Sequence, residues 1–197
     1  MIDPKKVTDY NRNEWQLQEF LIYCVCVAGK KSKIESPKVR RYCMDPRFGF
    51  GLKPFELIQK LLKVSSIEED GLMQHLKKHK IAPYQQRYNS LKDIVSLLDQ
   101  DLNKVTLEDL QEVRGISTKT SRFFLTHSRE DFDEPVLDTH ILRFLTDFGY
   151  KDVPKATPQN PKVYEKFSRI FKSIALFEGK SVTDFDLEVW TKYSYGN

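Results

Sequence analysis

Residues 107–140, LEDLQEVRGISTKTSRFFLTHSREDFDEPVLDTH, concentrate the residue types best suited to chemistry. An apolar face of Leu107, Leu110 and Val113 runs into a tight turn at Arg114-Gly115-Ile116-Ser117, and a second helix carrying Phe123, Phe124 and Leu125 follows. The pattern is a helix-hairpin-helix. Gly115 permits a turn that a side chain would obstruct, and the amides from Gly115 to Thr120 open a new helix. Unpaired N–H groups and the positive end of the helix dipole there attract phosphate without reading base sequence. Gly115, Ser117, Thr118 and Thr120 are therefore candidate contacts to a nucleic-acid backbone. By themselves the same residues also describe an ordinary helical corner closed by a C-cap glycine. The second helix carries an amine at Lys119, and nineteen residues later an acid, Asp138, stands just before another helix. A lone helix lysine is commonly a solvated one, and Asp before a helix is a common N-cap, a use that does not exclude chemistry.

Helices must position these groups, because the apolar periodicity is helical almost everywhere. Val163, Phe167, Ile170, Phe171 and Ile174 repeat at spacings of three and four, as do Tyr84, Tyr88, Leu91, Val95 and Leu98. Residues 15–28, WQLQEFLIYCVCVA, are apolar nearly all round and predict a buried central helix ended by Gly29. Further helices are predicted over 55–64, 72–80, 107–113, 117–125, 139–148 and 182–193, the helix after Asp138 turning Ile141, Leu142, Leu145 and Phe148 into the core. No segment alternates as a strand, so the expected fold class is globular all-α.

The 197 residues suffice for a sizeable core, as one domain or two small ones sharing a cleft. No apolar run approaches the ~20 residues that span a bilayer. The polar start, MIDPKKVTDYNRNEW, lacks the apolar segment of a secretory signal, which leads us to expect an intracellular protein. Cys24, Cys26 and Cys43 form no zinc-spaced set and read as buried thiols. Net charge of +4 permits a polyanionic partner; KKSK (30–33), KVRR (38–41) and KKHK (77–80) are dense enough to meet phosphates, though each alone reads as solvated surface. His75, His79 and His127 read as surface or loop residues, His140 as shaping a local turn, and none is assigned to a metal.

The pairing of VRGISTKT with VLDTH resembles the helix-hairpin-helix glycosylase superfamily of DNA repair, whose hairpin has the form L-P-G-V-G-x-K-T and is followed, after about twenty residues, by V-D-T-H and a helix. Ser117 departs from the pattern where the second hairpin glycine usually stands. The resemblance implies that Lys119 is the nucleophile and Asp138 the catalytic carboxylate of a bifunctional glycosylase and abasic-site lyase. An uncharged amine attacks the sugar of an everted nucleotide, expels the base, forms a Schiff base and cuts the strand by β-elimination. Asp138 then fits a role as proton acceptor and stabiliser of positive charge on the sugar, with a dry pocket favouring the neutral amine. The resemblance further implies two helical subdomains around a DNA cleft. Residues 30–128 would form a barrel ending in the hairpin, and residues 1–29 plus 129–197 the second body, in which the first helix packs with the carboxy-terminal ones.

Asp186 and Trp190, four apart on one helical face, resemble the pair that meets the extruded base in archaeal-type 8-oxoguanine glycosylases. A carboxylate accepts the N7 proton that distinguishes 8-oxoguanine from guanine, and an indole stacks, although a core Trp beside a surface Asp would have the same spacing. No cysteine follows Cys43, which implies the branch without an iron–sulfur cluster. In the family the hairpin can hold a monovalent cation through its carbonyls; no other cofactor is expected. The implied partner is damaged double-stranded DNA, bound by a monomer in the cytoplasm or nucleoid, or in a nucleus. Two rivals remain open: a glycosylase for oxidised pyrimidines or alkylpurines, and a hairpin protein that grips DNA without catalysis.

Overall fold

The computed structural model describes residues 2, 3, 6–48, 51–64 and 70–195. The expected all-α fold is what it contains: ten α-helices and no β-strand among the described residues. They are α1 (Glu14–Val27), α2 (Ser32–Cys43), α3 (Pro54–Lys63), α4 (Gly71–Lys78), α5 (Tyr84–Ile94), α6 (Leu107–Glu112), α7 (Thr118–Ser128), α8 (Thr139–Asp147), α9 (Pro161–Phe177) and α10 (Val182–Tyr195). No helix among them is long and apolar enough to cross a membrane.

Two apolar cores organise the helices. The first gathers side chains of α1 to α7, including Phe20, Tyr42, Phe55, Leu91 and Phe124; the second gathers Leu137, Ile141, Phe167, Phe171 and Phe185 from α8, α9, α10 and the segment before α8. Helix α1 runs through the first core with every residue from Leu17 to Cys26 buried. Its polar members are matched: Gln18 Oε1 accepts from the amide of Phe55 at 2.9 Å, and Glu19 pairs with Arg40 at 2.8 Å. A capping box of Asn13 and Gln16 starts it.

Four expectations are corrected here. Helix α1 packs chiefly on α2 and α7, within the first core rather than with the carboxy-terminal helices, because apolar side chains on all its faces need surrounding on all sides. Phe148 is 55% exposed, lying one residue past the end of α8 where the chain turns away at Gly149. His75 and His127 are 1% and 2% exposed, and His79 is only partly exposed, so none is a surface histidine. Finally, the KKSK and KVRR runs contribute to α2, a helix that charge and an internal Pro37 hide from periodicity. Lys38 and Arg40 there pair with Glu35 and Glu19, so part of this charge is neutralised within the chain.

The hairpin is anchored from below. Arg114 forks onto Asp93 at the end of α5, with Nη2 to Oδ1 at 2.8 Å. Gly115 has φ +83°, a left-handed conformation that L side chains rarely adopt, and an added Cβ would sit 2.4 Å from Ser90 Oγ. Ser117, by contrast, has φ −84° and ψ 169° and caps α7 with its hydroxyl. Serine serves there because the position asks for an N-cap rather than a glycine, so the departure from the family pattern leaves the turn intact.

Gly115→Ala should therefore cost about 1–3 kcal/mol in urea unfolding. Adding Ser90→Ala should recover only the part due to the clash, leaving the backbone strain; an unchanged midpoint for Gly115→Ala would contradict this packing.

Candidate active site

Lys119 sits in the first turn of α7 and Asp138 is the N-cap of α8, so two helix beginnings face one another. Asp138 divides its carboxylate between two tasks. Oδ1 accepts from the amides of His140 at 2.8 Å and Ile141 at 3.0 Å, while Oδ2 lies 3.8 Å from Lys119 Nζ. The cap fixes the side chain, and the fixed side chain aims its second oxygen at the amine.

The extended segment leading into α8 is held on several sides. Leu137 donates its amide to Tyr164 Oη at 3.1 Å, and that hydroxyl donates to the Pro135 carbonyl at 3.0 Å. Thr157 donates to the Leu137 carbonyl and Thr126 to that of Glu134. The Val136 amide donates to Asp186 Oδ2 at 2.8 Å. Asp133 in turn caps α10 through the amides of Val182 and Thr183.

These elements enclose a cavity of about 550 Å³, within the range of small-molecule sites. Ser117, Lys119, Thr120, Asp138, Asp186 and Trp190 all line it, bringing together the two proposed catalytic residues, the two proposed base-reading residues and two of the four hairpin residues. The side chain of His140 meets the Trp190 ring edge-on at 6.2 Å. Lys119 has 42% of its side chain exposed and Asp138 10%, so the pocket is wet on the amine side rather than dry as expected. A second groove, of about 680 Å³, opens on the other side of the hairpin, where Thr118, Arg122, Tyr164 and Lys162 line it.

Of the four hairpin residues, Gly115 and Ser117 are exposed and Thr118 partly so, but Thr120 is buried. Its amide is taken by Ser117 Oγ, and its hydroxyl lies 3.2 Å from the same atom. The amides of Thr118 and Lys119 precede the first intrahelical hydrogen bond of α7, which Ser121 donates to the Ser117 carbonyl.

Asp186 is the most perturbed acid facing the cavity. Burial, reinforced by the nearby negative Asp138, pushes its carboxyl up to about 8 despite the Val136 amide and Lys119, which act the other way. At neutral pH it is thus mostly a neutral acid. Sequence reasoning missed other residues of the lining: Tyr23 and Cys24 from α1, and His127, which burial pushes down to about 3 and whose Nδ1 lies 2.9 Å from Thr8 Oγ1. An all-round apolar helix gives no sign of which short arc meets a cavity.

No family model matches the chain. A curated relative, the 8-oxoguanine DNA glycosylase/AP lyase of Saccharolobus solfataricus, is 30% identical over 105 residues, a stretch that spans 53% of this chain and 50% of the relative. The solved 8-oxoguanine DNA glycosylase of Thermotoga maritima superposes with a TM-score of 0.66 at 22% identity, over 98% of this chain and 88% of that one. The Methanocaldococcus jannaschii 8-oxoguanine glycosylase/lyase, solved with a 15mer DNA containing 8-oxoguanine, gives 0.67 at 19% identity, over 98% and 89%. The chain has the fold of the 8-oxoguanine DNA glycosylases. That likeness spans nearly the whole chain, so it takes in both the helical hairpin and the helix following Asp138.

The raised carboxyl of Asp186 has a stability consequence. A folded-state value near 8 against about 3.9 unfolded means the folded chain retains this proton longer. The group's stabilising contribution is full below about pH 4 and is lost as pH rises towards 8. Asp186→Asn, which still accepts the Val136 amide, should raise the melting temperature more at pH 8.5 than at pH 5, in the sense set by that linkage. Equal shifts at both pH values would show that the acid is ionised in the fold.

Proposed function

We propose that the chain is a DNA glycosylase and abasic-site lyase that removes 8-oxoguanine. The observation that carries this reading is the 3.8 Å approach of Lys119 Nζ to Asp138 Oδ2 at the mouth of a pocket shared with Asp186 and Trp190. It is supported by the names of the similar proteins and by the DNA seen in one of them. Phosphate grip needs neither the acid nor its aim at the amine, so the pair favours catalysis over a binding module.

In this scheme the amides of Thr118 and Lys119 take a phosphate, and the everted nucleotide enters between the two helix beginnings. Duplex covering the wet side of the pocket would exclude water. Lys119 passes a proton to Asp138 or to solvent, and its lone pair attacks C1′ as the bond to the base breaks. The base leaves with that electron pair and is protonated. Loss of the amine proton and opening of the sugar give the Schiff base; removal of a C2′ proton then expels the 3′ phosphate. Asp138 stabilises the positive charge that develops on the sugar.

Asp186 would read the base. Its ionised form accepts the N7 proton of 8-oxoguanine, which guanine lacks. Ionising a carboxyl held near 8 costs on the order of 1 kcal/mol at pH 7, less than the ~1.5–3 kcal/mol that a hydrogen bond to a charged group returns. Trp190 would stack on the lesion. An intracellular compartment that holds DNA fits such a role.

Asp138→Asn separates capping from catalysis, since asparagine caps equally well. It should melt within a few degrees of the parent yet excise 8-oxoguanine slower by roughly 10²–10⁴-fold in single turnover. Lys119→Gln should lose strand cleavage while binding lesion duplex with unchanged affinity. Asp186→Ala should slow 8-oxoguanine excision more than cleavage at a preformed abasic site. Parent-like excision by Asp138→Asn, or nicking by Lys119→Gln, would remove those residues from the mechanism; equal losses for Asp186→Ala would remove its base-reading role.

A further inference from the structure

Away from the cavity, the end of α2 and the end of α4 meet in a cluster the proposed function does not use. Asp45 follows α2 and is 4% exposed. His75 and His79, one helical turn apart, reach it from α4 and its C-cap. His79 Nε2 lies 3.0 Å from Asp45 Oδ2, His75 Nδ1 lies 3.7 Å from it, and the three ligand atoms lie within 4.8 Å of one another.

We propose that Asp45, His75 and His79 bind a divalent transition metal, zinc by ligand chemistry, that ties α2 to α4. Zinc bonds of about 2.0–2.2 Å in a tetrahedron require ligand separations near 3.4 Å, which the 3.0 Å and 3.7 Å spacings bracket. Two imidazoles and one carboxylate are a borderline set suited to zinc, with a fourth position open. The orientation of His75 is already that of a ligand. Its Nε2 lies 3.1 Å from the Tyr42 carbonyl, which can only accept, so the proton sits on Nε2 and the lone pair on Nδ1 faces Asp45.

Two cations now hold the carboxylate. Arg47 reaches Asp45 Oδ2 through Nη2 at 3.1 Å, and that same nitrogen lies 3.4 Å from His75 Nδ1; Lys78 Nζ reaches Oδ2 at 2.5 Å. Their side chains are 56% and 44% exposed, against 1% for those of Asp45 and His75. They occupy the solvent side, from which a metal would enter, and each can swing into water as a dication takes over neutralisation of Asp45. The cations are therefore competitors of the metal, and that relation separates the proposal from a purely ionic knot.

Full-length, untagged protein stripped with chelator should gain melting temperature on addition of one equivalent of Zn²⁺, and Co²⁺ should show the visible absorption of a four-coordinate ion. His79→Ala, at the least buried of the three ligands, should abolish both responses. Lys78→Ala should bind zinc tighter than the parent, because the ammonium that competes for Asp45 is gone. Absence of any zinc shift or cobalt band in the parent, responses that survive His79→Ala, or weaker zinc binding by Lys78→Ala would each overturn the proposal. DNA cleavage plays no part in these readouts, so they stand apart from the fate of the repair assignment.

Discussion

Everything in the candidate site depends on how the chain is held between α7 and α8. A nucleophile and an acid on separate helices are useful only if the gap between them is fixed to within fractions of an ångström. Here the segment before Asp138 gives its amides to Tyr164 and Asp186 and its carbonyls to Tyr164, Thr157 and Thr126. It has little freedom left when it reaches the cap. The N-cap hydrogen bonds then immobilise one oxygen of Asp138 and present the other to Lys119. A stability device and a reactive geometry are the same pair of contacts.

The electrostatics follow from placing two acids and one amine around one cavity. Asp138 lies at the helix start, where two amides and the Lys119 side chain face it. Asp186 lies deeper and meets the field of Asp138 without equal compensation, so its carboxyl is pushed up to about 8. Asp186 thus stays mostly protonated until a hydrogen-bond donor arrives, whereas under the proposed function Asp138 would work beside the sugar. Different surroundings of this kind are how the proposed function would give two acids in one pocket different tasks.

Much of this was legible in the sequence for local reasons. Gly115 before a helix, Ser117 and Asp138 at helix starts and the three-four spacing of Ile141, Leu142 and Leu145 are features whose physics acts within a few residues. The approach of Asp186 to the cavity could be anticipated only as a shared face with Trp190, because its burial depends on the Val136 amide fifty residues away. Helix α2 escaped notice because its core contacts come from Glu35, Ser36, Val39, Tyr42 and Cys43, among charged residues and a proline. Helix α1 is the opposite case: a helix apolar on every face announces burial without naming its neighbours. The Asp45 cluster joins residues thirty or more positions apart, and two of its members, His79 and Lys78, lay in a run that read as solvated charge.

The claim at the centre is that the Lys119 amine bonds covalently to the sugar of an everted lesion. Borohydride reduction of the protein with an 8-oxoguanine duplex, followed by digestion and mass mapping, tests it directly. A reduced sugar adduct on the peptide containing Lys119, at Lys119 itself, is the predicted result. An adduct at another lysine or at the amino terminus, or no adduct while the base is still released, would contradict it.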